Sequence, residues 1–127
     1  MKATVKWNGG SSMVGINDKG QEIEMDWKTG PSPVHLLLKS VAGCTLVDVI
    51  TGLKGRELSE MWIEISGNRR EEFPRVFTDM MIEYHVRGNV PRKLLERLIE
   101  KSHTTYCTVS NMLVDVEKNW ELIMHED

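Results

Sequence analysis

Two cysteines, Cys44 in "VAGCTLVDVI" and Cys107 in "HTTYCTVSNML", carry most of the chemistry this chain could perform. Cys44 sits beside Gly43 in a strongly apolar run, where free cysteine ordinarily packs as a small hydrophobe. Cys107 follows two threonines, and Thr104 or Thr105 as a helix N-cap would place it in the first helical turn. There the unpaired backbone N–H groups and the helix dipole favour thiolate over thiol. His103 and Cys107 are four residues apart, a spacing that would put two ligands on one helical face. A zinc site needs three or four ligands, and neither a CxxC nor a second His/Cys pair is present, so no metal and no cofactor is expected. A Ser-His-Asp signature and a glycine-rich phosphate loop are likewise missing.

The elements that must hold these thiols can be read from periodicity. Ala3, Val5 and Trp7 alternate with Lys2, Thr4 and Lys6; Ser12 to Ile16 follows an Asn8-Gly9-Gly10 turn; Ile23, Met25 and Trp27 alternate with Glu22, Glu24 and Asp26. This predicts a three-stranded antiparallel meander. Ser32 is placed to cap a helix, with Pro33 in its first turn. From Val34 to Leu53 almost every residue is apolar or small, which predicts a helix buried on most of its surface, with a bend or restart at Gly43. Ile63 and Ile65 mark another strand, and "NRREEFPR" (68–75) reads as a charged connection. Met80, Ile82, Tyr84 and Val86 form the clearest strand of the chain. A helix then starts at Pro91, a shorter one carries Cys107, Val109, Met112 and Leu113, and a strand from about Trp120 to Met124 closes the chain. The expected class is α+β, antiparallel strands with segregated helices, in a single domain spanning 1–127.

Composition narrows the function classes. The 127 residues are 40% hydrophobic and 28% charged, with a formal net charge of −3. Basic residues cluster no further than the pairs Arg69-Arg70 and Arg92-Lys93, so no nucleic-acid partner is expected. The apolar stretch from Leu36 to Leu53 has about the length of a short membrane span, but Lys39 and Asp48 lie inside it and a core helix is expected instead. The N-terminus "MKATVKW" has no apolar signal core, so a reducing cytoplasmic setting is expected, in which two cysteines that pair would be redox-active rather than structural.

The two cysteines and their flanks, "PSPVHLLLKSVAGCTLVDVI" after a meander and "HTTYCTVSNML" before a last strand, resemble the OsmC/Ohr family. "RREEFPRVFT" ahead of the long strand adds to the likeness. The resemblance implies an intertwined α+β homodimer, its curved antiparallel sheets wrapped around central buried helices. It implies a thiol-dependent peroxidase for organic hydroperoxides, with Cys44 the peroxidatic thiol and Cys107 the resolving thiol. An external dithiol would reduce the resulting disulfide. The chain departs from the peroxidase members in two places. They use an N-terminal arginine and a glutamate upstream of the first cysteine; here no arginine precedes Arg56, and Pro33 is followed by Val34. Arg69 or Arg70 is the candidate replacement cation, and His35 a candidate base. The rival reading is a dimeric binding protein for a small hydrophobic ligand, its cysteines structural.

Overall fold

The computed structural model describes residues 1–126, which fall into two compact units, Met1–Leu37 and the remainder from Leu38. The first is the expected meander: β1 (Ala3–Trp7), β2 (Ser12–Asn17) and β3 (Glu22–Asp26) pair antiparallel in that order. Gly15 lies opposite both Val5 and Ile23, and a Cβ there would come within 3.3 Å of the Ile23 and Met25 side chains. After β3 the chain turns on Asp26, whose carboxylate accepts the Ser11 hydroxyl at 2.8 Å and the Lys28 and Thr29 N–H groups at 2.8 and 3.0 Å. Those bonds, led by the one from Thr29, draw its pKa down to about 2.

Helix α1 (Pro33–Gly52) starts as its cap signals predict, with Ser32 Oγ accepting the His35 N–H at 3.3 Å. It runs through Gly43 without a break, since one glycine costs a helix only about 1 kcal/mol. The expectation of burial on most of its surface is not met within one chain. Val41, Thr45 and Val49, four residues apart, form its buried stripe, while Val47 and Ile50 stay 59% and 44% exposed.

The second unit holds β4 (Glu60–Arg69), β5 (Phe77–Arg87) and β6 (Glu117–His125), in that order across the sheet. Strand β4 extends through Gly67, Asn68 and Arg69, which the sequence assigned partly to a connection; a bulge between Asn68 and Arg69 absorbs the irregularity. Strands β4 and β5 are antiparallel, but β5 and β6 are parallel, a departure from the antiparallel expectation. Parallel neighbours require a crossover, and α2 (Arg92–Lys101), one π-helical turn (Ser102–Tyr106) and α3 (Thr108–Met112) provide it. Helix α2 buries Leu95 and Ile99 and meets α1 where a Cβ on Gly52 would lie 2.5 Å from Leu98. Successive strand residues face opposite ways, so Met80, Ile82, Tyr84 and Val86, all fully buried, line one face of this sheet. His85, with Glu83 and Arg87 on either side of it in alternation, lies on the other.

Candidate functional site

Cys44, half-buried on α1, and Cys107, fully buried after the π-helical turn, are both free, and they lie near enough for Cys44 to raise the Cys107 pKa. The structure thus brings together the two residues singled out by type. Cys107 does not occupy a first helical turn, as Thr104 or Thr105 capping would require. It is itself the N-cap of α3, with its sulfur accepting the Ser110 N–H at 3.4 Å. The expectation of a thiolate-favouring position fails with it. Burial dominates over that one N–H bond, and the neighbouring Cys44 thiol and Asp48 add to it, so the Cys107 pKa is pushed up to about 11. Cys107 is a protonated thiol at neutral pH.

A chain of buried hydroxyls fixes the relative position of the two thiols. Ser102 Oγ donates to Asp48 Oδ2 at 2.7 Å. A hydroxyl has one proton to give, so at the 2.7 Å contact between Thr45 and Ser102 the threonine donates. By the same count Tyr84 donates to Thr45 at 2.7 Å, and His103 Nε2 donates to the Tyr84 oxygen at 2.7 Å. The backbone N–H of Cys107 meanwhile bonds the Ser102 carbonyl at 2.7 Å. Ser102 therefore ties the Cys107 turn to α1 beside Cys44, through Thr45 and Asp48. Burial pushes the Tyr84 phenol well above its usual range and holds His103 below its own, Lys118 adding to the latter by repulsion. Assigning the His103 proton to Nε2 leaves Nδ1 a buried lone pair without a hydrogen-bond partner.

Lys118 is a cation near Cys107. Its ammonium donates to the Leu113 carbonyl at 2.7 Å and interacts electrostatically with Cys107, while burial lowers its pKa. The sequence reading missed it because it began the last strand at Trp120. Lys118 stands in phase with Trp120, Leu122 and Met124, and a lysine in the apolar phase of a strand is a readable signal. Asp48, Thr45, Ser102 and Tyr84 were missed as well, each being unremarkable alone. Of the other candidates, Arg69, at the exposed end of β4, donates its Nε–H to the Arg75 carbonyl at 2.8 Å. His35 Nδ1 lies 3.0 Å from Ser32 Oγ, at the helix start. A concavity of about 510 Å³ is lined by Asp48, Thr51, Gly52, Leu98, Lys101 and Tyr106, with neither cysteine in its wall.

A family model described as OsmC-like protein matches residues 25–122, from the end of β3 to β6. The chain belongs to the OsmC-like family. It is 33% identical to protein YhfA of Escherichia coli K12 over 132 aligned positions, covering 97% of this chain and 98% of that one. A crystal structure of a hypothetical protein from Aquifex aeolicus VF5 superimposes with a TM-score of 0.84 at 28% identity, over 98% of this chain and 96% of that one. An organic hydroperoxide resistance protein from Elizabethkingia anophelis shares the fold with a TM-score of 0.69 at 19% identity, over 97% and 94% of the two chains. The family resemblance and the α+β class read from the sequence therefore hold, and hydroperoxide-resistance proteins stand among this chain's structural relatives.

Proposed function

We propose that this OsmC-like protein is a two-cysteine thiol peroxidase, with Cys44 as the attacking thiol and Cys107 as the resolving one. The observation that carries the reading is that the fold brings the chain's two cysteines into one neighbourhood, near a lysine and an ordered hydroxyl chain. Exposure divides their labour. Cys44 is accessible to a small peroxide, whereas Cys107 is sealed from solvent and its raised pKa suits it to give up a proton late. The Cys44 sulfur attacks the distal peroxide oxygen; the O–O bond breaks, and the alkoxide leaves as an alcohol after taking a proton. Cys44 is oxidised to a sulfenic acid. The Cys107 sulfur then attacks the sulfenic sulfur, water leaves with the Cys107 proton, and a disulfide forms. An external dithiol restores both thiols by two exchange steps. Lys118, close to Cys107, takes the place in this reading of the cation missing from the N-terminal region, and stabilises charge that develops on the second sulfur.

The same reading includes a homodimer in the cytoplasm. Val5, Trp7 and Ile23 on the meander and Val47 and Ile50 on α1 are exposed apolar residues that a second copy of the chain would cover. Light scattering should give twice the chain mass; a monomer would remove this support.

The deciding experiment mixes reduced protein with cumene hydroperoxide and counts free thiols over time. Both thiols should disappear together into an intramolecular disulfide. Cys44→Ser should leave Cys107 unreactive, and Cys107→Ser should stop at a Cys44 sulfenic acid, one oxygen heavier by mass. Thiols that persist at the rate of an ordinary free cysteine would end the peroxidase reading.

A further inference from the structure

The face of the β4–β5–β6 sheet opposite Tyr84 holds a second group of chemically capable side chains, with neither cysteine among them. Glu64 and Glu83 stand directly opposite each other on β4 and β5, and Glu121 on β6 is the next residue along the same row. Like charges directly opposite on paired strands are destabilising, and this row places three in line. The nearest arginine on this face, Arg87, is already engaged, 3.3 Å from Glu60 and donating to the Glu126 carbonyl at 2.9 Å. Next along β5, His85 is 8% exposed and its Nε2 points toward this row. Glu64 Oε2 lies 3.0 Å and Glu83 Oε2 3.8 Å from that nitrogen. The second is too long for a hydrogen bond and the first is not aligned as one, so Nε2 is buried without a hydrogen-bond partner.

The rest of the imidazole is held in place. Its Nδ1 lies 2.8 Å from His125 Nε2 on β6. The Trp62 ring stacks on both histidines, at 4.8 Å from His85 and 5.0 Å from His125 between ring centres. With the His85 Nδ1 proton donated to His125, Nε2 presents a bare lone pair to two carboxylates. In that tautomer the arrangement is an electrostatic conflict, which a cation among them would relieve. A metal-bound histidine characteristically donates its other ring N–H to a fixed partner, and His125 provides that partner here.

The geometry points to a divalent transition-metal site made by Glu64, Glu83 and His85, with His125 as the positioning residue behind it. The three ligand atoms lie within 4.8 Å of one another. A zinc-type ion about 2.0–2.2 Å from each donor would need them roughly 3–4 Å apart, which the exposed Glu64 side chain can reach by a small swing. One imidazole and two carboxylates suit a zinc-like ion and leave coordination positions open to water. The ion would join β4 to β5 directly and reach β6 through His125. The site is separate from the thiols and does not depend on the peroxidase reading.

The test uses the full chain carrying Cys44→Ser and Cys107→Ser, so that no thiol can bind metal, titrated with zinc(II) and in parallel with cobalt(II). Calorimetry should show one ion per chain and a metal-dependent rise in Tm. The cobalt(II) spectrum should show bound metal without thiolate charge transfer. Glu64→Gln and Glu83→Gln, which keep the size of each side chain, should each weaken binding at least about tenfold, a loss on the scale of removing a metal-site partner. Long-range nitrogen–proton spectra should show the His85 Nε2 resonance moving on addition of zinc(II), an observation that needs no variant. Absence of binding, or binding unchanged in both glutamine variants, would overturn the site and assign the Nε2 contact to a ring proton shared with Glu64.

Discussion

On the Tyr84 face of the β4–β5–β6 sheet, a line of hydroxyls runs from His103 to Asp48 with every proton assigned by its neighbour. On the opposite face, one residue further along β5, His85 meets two glutamates with no aligned hydrogen bond. Both faces leave one buried imidazole nitrogen without a hydrogen-bond partner, His103 Nδ1 on the first and His85 Nε2 on the second. The surroundings differ. His103 ends a chain of hydroxyls each paired with the next as far as Asp48, and these paired groups act as a structural lock on the cysteine turn. His85 faces excess negative charge that nothing in the adjoining rows of the sheet neutralises. A buried polar group that is fully paired rigidifies its surroundings, while one left in conflict marks a place where something else belongs.

Breaking the lock should give the larger effect. Tyr84→Phe removes the central hydroxyl, leaving the His103 Nε2–H buried without an acceptor and the Thr45 oxygen without its donor. Stranding such groups costs about 1–3 kcal/mol, which denaturant unfolding should register as a lower midpoint with an unchanged slope. Because Thr45 adjoins Cys44 and Ser102 binds the Cys107 N–H, the same variant should also slow disulfide formation between the thiols. Unchanged stability would mean that the hydroxyls are individually replaceable by water and that the lock is no lock.

A smaller effect is expected from pH. Burial and Lys118 hold the His103 pKa below the ordinary histidine value of about 6.5. The unfolded chain therefore takes up this proton before the folded one does. The stability contributed by the neutral ring is present above about pH 6.5 and is lost as pH falls below it, until the folded ring also titrates. Replacing the ring by His103→Gln, which retains an N–H for Tyr84, should flatten this part of the stability–pH curve. An unchanged slope would place the acid sensitivity elsewhere.

How much of this could be read beforehand follows from where each signal resides. Strand β5 was legible because Met80, Ile82, Tyr84 and Val86 alternate strictly with polar residues, and the meander because its turns carry Gly-rich signals. The parallel pairing of β6 was not, since alternation carries no strand direction; direction is set by the crossover through α2 and α3. The single buried stripe of α1 was obscured because its outward positions are apolar as well. Cys44 and Cys107 stood out by residue type, and the family resemblance paired them. What fixes them did not stand out: Thr45, Asp48, Tyr84 and Ser102 are common residues brought together across 57 positions of sequence. The Glu64–Glu83–His85 group was illegible for a related reason. It exists only once the β4–β5 register is known, because a slip of one residue would send either glutamate to the other face.

The smallest expected change tests the opposite face, and its sign matters more than its size. In metal-free buffer Glu64→Gln removes one of two like charges directly opposed across β4 and β5. Because Glu64 is exposed, solvent screens much of that repulsion, so the variant should gain only a few tenths of a kcal/mol, near the low end for cross-strand pairs. Excess zinc(II) should reverse the order. The parent chain then gains the free energy of binding an ion that the unfolded chain holds less well, and the variant, short of one carboxylate, gains less. Melting the two proteins side by side with and without zinc(II) reads both signs in one experiment, with thiols replaced by serine in each. A variant more stable in both buffers would mean that the glutamate row is merely a tolerated cost. A variant less stable in metal-free buffer would mean that Glu64 already stabilises a protonated His85, and the contrast between the two faces would narrow to the strength of one ion pair.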